Sequence, residues 1–351
     1  MPDAPLPDPP ARFRVALLGF GLGGAAFHAP LIEAVPSLEL AAIVTGDEGR
    51  QALARQRHPR ARLLAHADEL WRDTADIDLV VISTPNRTHV PLARRALEHG
   101  LHVVVDKPLA PTSDEAEALI AHARACGRML TPYQNRRWDG DFLTLRQLVN
   151  DGALGRVLRF ESRWERWRPT PRVGWRSSPD PADAGGILYD IGSHLIDQAL
   201  VLFGPAAHVH AELDTRQPGA AVDDDSFVAI THASGVRSHL FMSAFVAQAG
   251  PRFRVLGDAA AYVKWGRDPQ EVALRDGRGP GTADGWGEEP PERWGRLGAD
   301  GRTVTVPTRP GGYHEFYRAL AQALHTGGAP PVDAADAVAT LRVIEAARRR
   351  V

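Results

Sequence analysis

The stretch Phe13-Arg14-Val15-Ala16-Leu17-Leu18-Gly19-Phe20-Gly21-Leu22-Gly23-Gly24 decides the fold. Its first six residues read as a buried strand. The glycines that follow fit GxGxxG, with Gly19, Gly21 and Gly24 in the three positions. In such a turn the first glycine permits a tight bend. The second lets backbone approach a pyrophosphate, and the third lets the next helix pack on the strand. Gly19, Phe20, Gly21, Leu22 and Gly24 are therefore candidate cofactor contacts. The motif follows a predicted strand and opens a predicted helix over 23–35, the context that dinucleotide binding needs. The bland alternative is a glycine-rich turn that binds nothing.

Working outward, strands are predicted at 38–44, 78–83, 101–105 and 129–131, and helices at 52–57, 88–99 and 114–126. Near-continuous apolar strands between helices predict a parallel sheet covered on both faces. Beyond about residue 132 the pattern changes. A helix at 142–150 and a strand at 156–164 are followed, between 206 and 264, by hairpin-like runs that include 226–232 and 236–245. The expected fold is α/β, an N-terminal Rossmann doubly wound parallel sheet with a second α/β domain. The expected divisions are a disordered lead-in at 1–11, a nucleotide-binding domain at 12–132, a second domain at 133–331 and a closing amphipathic helix at 332–351. The Gly-, Pro- and Asp-rich stretch 275–301 reads as a surface excursion anchored by Trp286, Trp294 and Leu297.

Bulk properties narrow the function. A chain of 351 residues has room for two cores, and 44% hydrophobic with 24% charged residues is ordinary for a soluble protein. A net charge of −2 supplies no field for nucleic acid or an anionic membrane, so neither partner is expected. The N-terminus lacks the basic and apolar regions of a signal peptide, and no apolar run approaches a bilayer span; a cytoplasmic location is expected. The single cysteine, Cys126, excludes an internal disulfide and a Cys-rich metal site, and no metal is expected.

The end of the second strand bears on the cofactor. Where an acid would hold the ribose 2′-OH of NAD, the sequence Ile43-Val44-Thr45-Gly46-Asp47 places Thr45, and Arg50 could face a 2′-phosphate. This favours NADP. NAD is the alternative if Asp47 takes the acid's role after a shifted turn. Thr84-Pro85-Asn86 follows the 78–83 strand at its carboxyl end, where ligands sit in such sheets. Asn86 offers an amide to a ribose or nicotinamide, and His89 lies just beyond; a plain turn is the alternative.

Three further segments carry chemistry. All but two of the 41 Lys and Arg residues are Arg, and one exception, Lys107, stands in Asp106-Lys107-Pro108 at the end of an apolar strand. Buried lysine can relay a proton near neutral pH, whereas guanidinium stays charged. Chance placement is the alternative. In Gly186-Ile187-Leu188-Tyr189-Asp190-Ile191-Gly192-Ser193-His194-Leu195-Ile196-Asp197, a helix would set Asp190 and His194 on one face, with Asp197 three residues on. A carboxylate beside an imidazole orients the ring and raises its basicity, which suits removal of a hydroxyl proton as hydride leaves carbon. An exposed acid–His pair is the alternative. In Tyr133-Gln134-Asn135-Arg136-Arg137-Trp138-Asp139, Asn135 and Arg136 could bind a polyhydroxylated substrate; by chemistry alone a surface ion-pair segment is the better reading. The run Arg163-Trp164-Glu165-Arg166-Trp167-Arg168 reads as a strand with Trp on one face.

Together these segments resemble the glucose-fructose oxidoreductase/inositol dehydrogenase (Gfo/Idh/MocA) family over nearly the whole chain after residue 12. The family usually has Glu where this chain has Asp106. Asn135-Arg136-Arg137-Trp138-Asp139-Gly140-Asp141-Phe142-Leu143-Thr144, Phe27-His28-Ala29-Pro30-Leu31 and Trp167-Arg168-Pro169 are similar to its NADP-dependent scyllo-inositol dehydrogenase branch. The resemblance implies a large, mainly antiparallel second sheet with one face in oligomer contacts, hence a homodimer or homotetramer. It implies that Lys107 contacts the substrate hydroxyl and nicotinamide ribose, that His194 is the general acid/base, and that Asp190 is a substrate ligand or partner. The expected activity is hydride transfer between NADP(H) and a cyclic polyol or sugar, foremost an inositol. The rivals are an aldose, anhydrosugar or diol enzyme of the same fold, and a non-enzymatic nucleotide sensor.

Overall fold

Six short apolar strands build the first sheet of this computed structural model, which describes residues 12–171, 173–282 and 284–349; the lead-in expected at 1–11 lies outside them. The strands are β1 (Phe13–Leu18), β2 (Leu38–Val44), β3 (Arg62–Leu64), β4 (Leu79–Ile82), β5 (His102–Asp106) and β6 (Leu130–Tyr133). They pair in the order β3-β2-β1-β4-β5-β6, all parallel. All four residues of β4 are buried, the pattern of a strand covered on both faces. Strand order reverses between β1 and β4, which opens a crevice at the carboxyl ends.

The covering helices are α1 (Ala29–Glu33), α2 (Glu48–Arg57), α3 (Ala67–Trp71), α4 (His89–Glu98) and α5 (Ser113–Ala125). Residues Gly23–His28 form π-helical turns that lead into α1. Helix α2 starts at Glu48 rather than 52, because Asp47 caps it by accepting the Arg50 backbone N–H at 2.8 Å. The small elements β3 and α3 were not expected.

Beyond α6 (Gly140–Asn150) comes the second sheet: β7 (Val157–Glu165), then after α7 (Ser193–Phe203) the strands β8 (Ala206–Asp214), β9 (Asp225–His232), β10 (Arg237–Ser243), β11 (Phe253–Gly257) and β12 (Ala261–Lys264). Past α8 (Gln270–Arg275), β13 (Gly295–Ala299) and β14 (Arg302–Val306) complete it. The order is β14-β13-β12-β11-β7-β10-β9-β8, antiparallel except for β7 with β10. Alternation is clear on β9 and β10. Val228, Ile230, Leu240 and Met242 are buried, while Phe227, Ala229, His239 and Phe241 occupy the other, more open face.

Two features correct the expected divisions. The stretch 275–301 is not wholly a surface excursion, since its last part is β13, paired with β12 and β14. Helix α9 (His314–Thr326), unforeseen in the 133–331 unit, packs Phe316, Tyr317 and Leu320 into the core under the first sheet with Val15, Leu17 and Val81. The closing helix is α10 (Ala334–Arg348), capped by Asp333 and packed against both α5 and α7. The chain thus returns to its nucleotide-binding half, and the two halves share one body. No described helix is long and apolar enough to cross a membrane.

The second lysine pins the 275–301 segment. Lys264, fully buried on β12, has its Nζ 2.9 Å from Glu289 Oε1 and donates to the Trp265 carbonyl at 2.6 Å. Removing one member of a buried pair strands the other's charge. Lys264→Met should therefore destabilise the fold by about 3–5 kcal/mol, read as a lower urea midpoint.

Candidate active site

The crevice at the carboxyl ends of β1, β2 and β4 is a cavity of about 670 Å³. Gly19 has φ +95°, and a Cβ there would stand 2.3 Å from the Ser83 carbonyl oxygen. A Cβ on Gly24 would meet the Gly19 oxygen at 2.0 Å, so the third glycine is needed for packing. At Gly21 the space is open except for Arg50 Nη1, 3.8 Å from a Cβ. Bare backbone facing a roomy cleft fits a pyrophosphate, and the Arg50 guanidinium lines the same cleft as buried Thr45, the residue after β2. Phe20, Leu22, Thr84 and Pro85 also line the cleft.

Two expected contacts, Asn86 and His89, line the cleft and also have partners within the protein. The Asn86 Nδ2 donates to the Asp183 carbonyl at 2.9 Å, so the amide hydrogens expected for a ribose or nicotinamide are already engaged; its buried Oδ1 has no partner. Both nitrogens of buried His89 meet backbone carbonyls, of Pro108 at 2.8 Å and Thr84 at 3.0 Å. His89 ties the loop after β4 to the segment after Lys107.

At the end of β5, Asp106 borders both the cleft and a neighbouring cavity of about 290 Å³. Its Oδ1 accepts the Lys107 backbone N–H at 2.8 Å, Ser83 Oγ donates to Oδ2 at 3.3 Å, and His28 Nε2 lies 3.6 Å away. Burial alone would raise the carboxyl's pKa, but His28, Lys107 and His89 outweigh it and hold Asp106 well below the usual range. Lys107 crosses to the second domain, where its Nζ donates to the Asp190 carbonyl at 2.5 Å and to Oδ1 at 3.0 Å. Asp190 lies on π-helical turns, Leu188–Gly192, that run into α7. His194, in the first turn of α7, lines the same cavity. Its Nδ1 is sealed off without a partner, which leaves Nε2 to meet the cavity.

The electrostatics add larger opposing effects to the expected acid–His pair. Asp190 does raise the basicity of His194, but burial first, then Lys107 and Arg136, override it, and the imidazole pKa falls well below its ordinary value. Asp197 is elsewhere, held by Arg137 through Nη2 at 2.5 Å and Nε at 2.8 Å. Asn135 and Arg136 are buried and line the cavity, against the reading of a surface ion-pair segment. Arg136 is clamped by Glu271 at 2.6 Å and by Asp139 at 3.6 Å, and lies 3.9 Å over the Trp164 ring.

Sequence reasoning missed Trp175 and Arg176, which border both cavities from the 174–186 loop, with Arg176 Nε 3.6 Å from Asp190 Oδ1. It also missed the role of buried His28, whose Nδ1 meets Tyr317 Oη at 2.5 Å. A Trp-Arg dipeptide in a Gly/Pro/Ser-rich loop has no periodicity to flag it. Among the described residues, no group of three or more His, Cys, Asp or Glu side chains is placed to hold a metal ion.

Comparison with known proteins agrees with this fold. The sequence profile described as "Oxidoreductase family, NAD-binding Rossmann fold" matches residues 13–134, and that of the GFO/IDH/MocA C-terminal domain matches 142–263. The chain is 40% identical to the uncharacterized oxidoreductase YdgJ of Escherichia coli, over 95% of each protein. It is 35% identical to scyllo-inositol 2-dehydrogenase (NADP(+)) IolW of Bacillus subtilis, over 95% of this chain and 92% of that one. The solved structure of the oxidoreductase yvaA from Bacillus subtilis superposes with a TM-score of 0.91 at 34% identity, covering 97% of this chain and 96% of that one.

The depressed basicity of His194 is directly measurable. Imidazole resonances of His194 should titrate below the ordinary histidine range near 6.5. Because the Lys107 charge is one of the depressing causes, Lys107→Met should move that midpoint upward.

Proposed function

The chain belongs to the GFO/IDH/MocA oxidoreductase family, and from that premise we propose that it is an NADP(H)-dependent dehydrogenase of a cyclic polyol or sugar, foremost an inositol. One observation carries the reading: Lys107 from the nucleotide-binding domain and His194 from the second domain line one cavity that adjoins the cleft over the glycine turn. NADP rather than NAD is supported by Thr45 in the acid's place and by Arg50 against Gly21. Asp47 is engaged as the α2 cap, which weakens its claim on a ribose hydroxyl. The NADP-linked name of the IolW relative points the same way.

Bound nicotinamide supplies the hydride acceptor, or the donor in reverse. The chain's residues hold the polyol and move its proton. Lys107 Nζ, fixed by Asp190, donates a hydrogen bond to the reacting oxygen and stabilises charge as it develops there. His194, neutral because of its depressed pKa, takes the hydroxyl proton at Nε2. Asn135 sits where it can orient neighbouring hydroxyls. The open face of the second sheet, where Phe227 and Phe241 pack with centroids 4.9 Å apart, is the surface we assign to a homodimer or homotetramer. An aldose, anhydrosugar or diol as substrate would use the same groups. A non-enzymatic sensor would have no need of Lys107 and His194 in one cavity.

Lys107→Ala and His194→Ala should each lower kcat by roughly 10²–10⁴-fold while NADPH binding, followed by fluorescence, holds; normal turnover in both variants would refute the roles. Arg50→Ala should weaken NADP⁺ by about tenfold or more, as expected for loss of a charge-assisted phosphate contact, and leave the KM for NAD⁺ nearly unchanged.

A further inference from the structure

The cavity beside Lys107 and His194 does not end at the reacting groups. Trp164, Arg267, Glu271 and Arg275 form a wall shared with a second cavity of about 350 Å³. That cavity lies beneath the 275–301 segment, with Trp286 and Arg293 also in its lining. The space beyond one ring is thus as large as the space that faces the reacting groups.

Of the four shared residues only Glu271 is acidic, while Asp268, Asp284 and Glu288 line the second cavity alone. Glu271 is already held by Arg136 at 2.6 Å and by Arg275 at 2.8 Å. Arg267 lies 5.0 Å over the Trp164 ring, which also carries Arg136 at 3.9 Å. Arg293 reaches the same corner: a Cβ on Gly266, the residue before Arg267, would stand 2.8 Å from Arg293 Nη2. Among the described residues no ion pair holds Arg267 or Arg293, whereas the neighbouring Arg136 and Arg275 are both paired with Glu271. Burial, and then Arg136, Arg293 and Arg275, depress the Arg267 pKa despite Glu271. Stacking on Trp164 accounts for one guanidinium. Arg293, exposed at the rim of the second cavity, brings a second like charge to the corner, and the two repel.

We propose that the cyclic polyol taken by this site carries an anionic substituent, a phosphate or a carboxylate, which Arg267 and Arg293 receive while the ring reacts beside Lys107 and His194. The proposal rests on the dehydrogenase reading and adds the substrate's charge to it. A guanidinium fork binds either anion through two parallel N–H groups, so the chemistry of the corner is the same for both sources. An anion placed there would also offset part of the positive field that Arg136 exerts on His194.

The test compares kcat/KM with NADP⁺ for scyllo-inositol, an inositol monophosphate and a hexuronate, in the native protein and in Arg267→Gln. At least one anionic substrate should exceed scyllo-inositol by about tenfold or more, and added salt should shrink that excess. In Arg267→Gln the ratio of anionic to neutral kcat/KM should fall by about tenfold. Preference for the phosphate or for the uronate identifies the source of the anion, and either supports the proposal. If scyllo-inositol equals or exceeds both, or if the substitution lowers all three alike, the proposal is overturned and the dehydrogenase reading stands. If none of the three turns over, both fall.

Discussion

A single ammonium group ties this molecule together. Lys107 closes the end of β5 in one domain, and its Nζ holds both the main-chain oxygen and the carboxylate of Asp190 in the other. The pair is only partly shielded from water, with side chains 15% and 21% exposed, so its net contribution to stability is modest. Its value is positional. It sets the distance between the nucleotide cleft and the turn that carries His194, and its charge helps keep that imidazole neutral. A planar guanidinium would spread the charge over a larger fork and could not be approached as a compact point donor. In a chain that otherwise relies on arginine, a lysine here has a physical reason.

The ends of this bridge are fixed by a further set of hydrogen bonds and close charges. Beneath Lys107, Asp106 accepts its backbone N–H and is steadied by Ser83 and His28. His28 is locked in turn by Tyr317 from α9, so a helix near the chain's end supports a site near its beginning. Beneath Asp190, the Asp223 carboxylate accepts the Leu188 N–H at 2.8 Å and the Ser226 hydroxyl at 2.9 Å. A Cβ on Gly186 would fall 2.0 Å from that carboxylate, and the glycine's φ of +100° admits the turn. The loop bearing Trp175 and Arg176 is moored to the first domain by Arg87, which pairs with Asp180 and Asp183. The cleft is therefore walled from both domains before any ligand arrives.

The parts of this arrangement legible in the sequence are those that a short window encodes. Val15 to Leu18 and Leu79 to Ile82 are buried runs, and the glycine turn is a local necessity, so both announce themselves. Lys107 and His194 were legible as residue types at strand and helix ends, though nothing local says that they meet. Helix α9 does carry a signal, with apolar Phe316, Tyr317, Leu320 and Ala323 at helical spacing, yet its core lies with strands some 200–300 residues earlier. Asn86 does line the cleft, but that its amide nitrogen is taken by the Asp183 carbonyl is visible only once that loop is folded onto it. The acid–His pair was legible and Asp190 does raise the His194 basicity, but the larger opposing effects of burial and two cations are supplied only by the tertiary fold.

That balance explains why two carboxylates flank the reacting groups. In the oxidation we propose, His194 accepts a proton while Lys107 stands beside it as a cation. Burial and that charge both oppose protonation, so the imidazole alone would hold the proton poorly. Asp190 and Asp106 each pull the other way, and both are among the charges that raise the His194 pKa. Under that proposal the site takes a proton as hydride leaves without trapping it, and in reverse the protonated imidazole is acid enough to return it to a developing alkoxide. Asp106, held ionised far below the usual range by His28 and Lys107, can serve this purpose across the physiological pH range because its own charge does not titrate there.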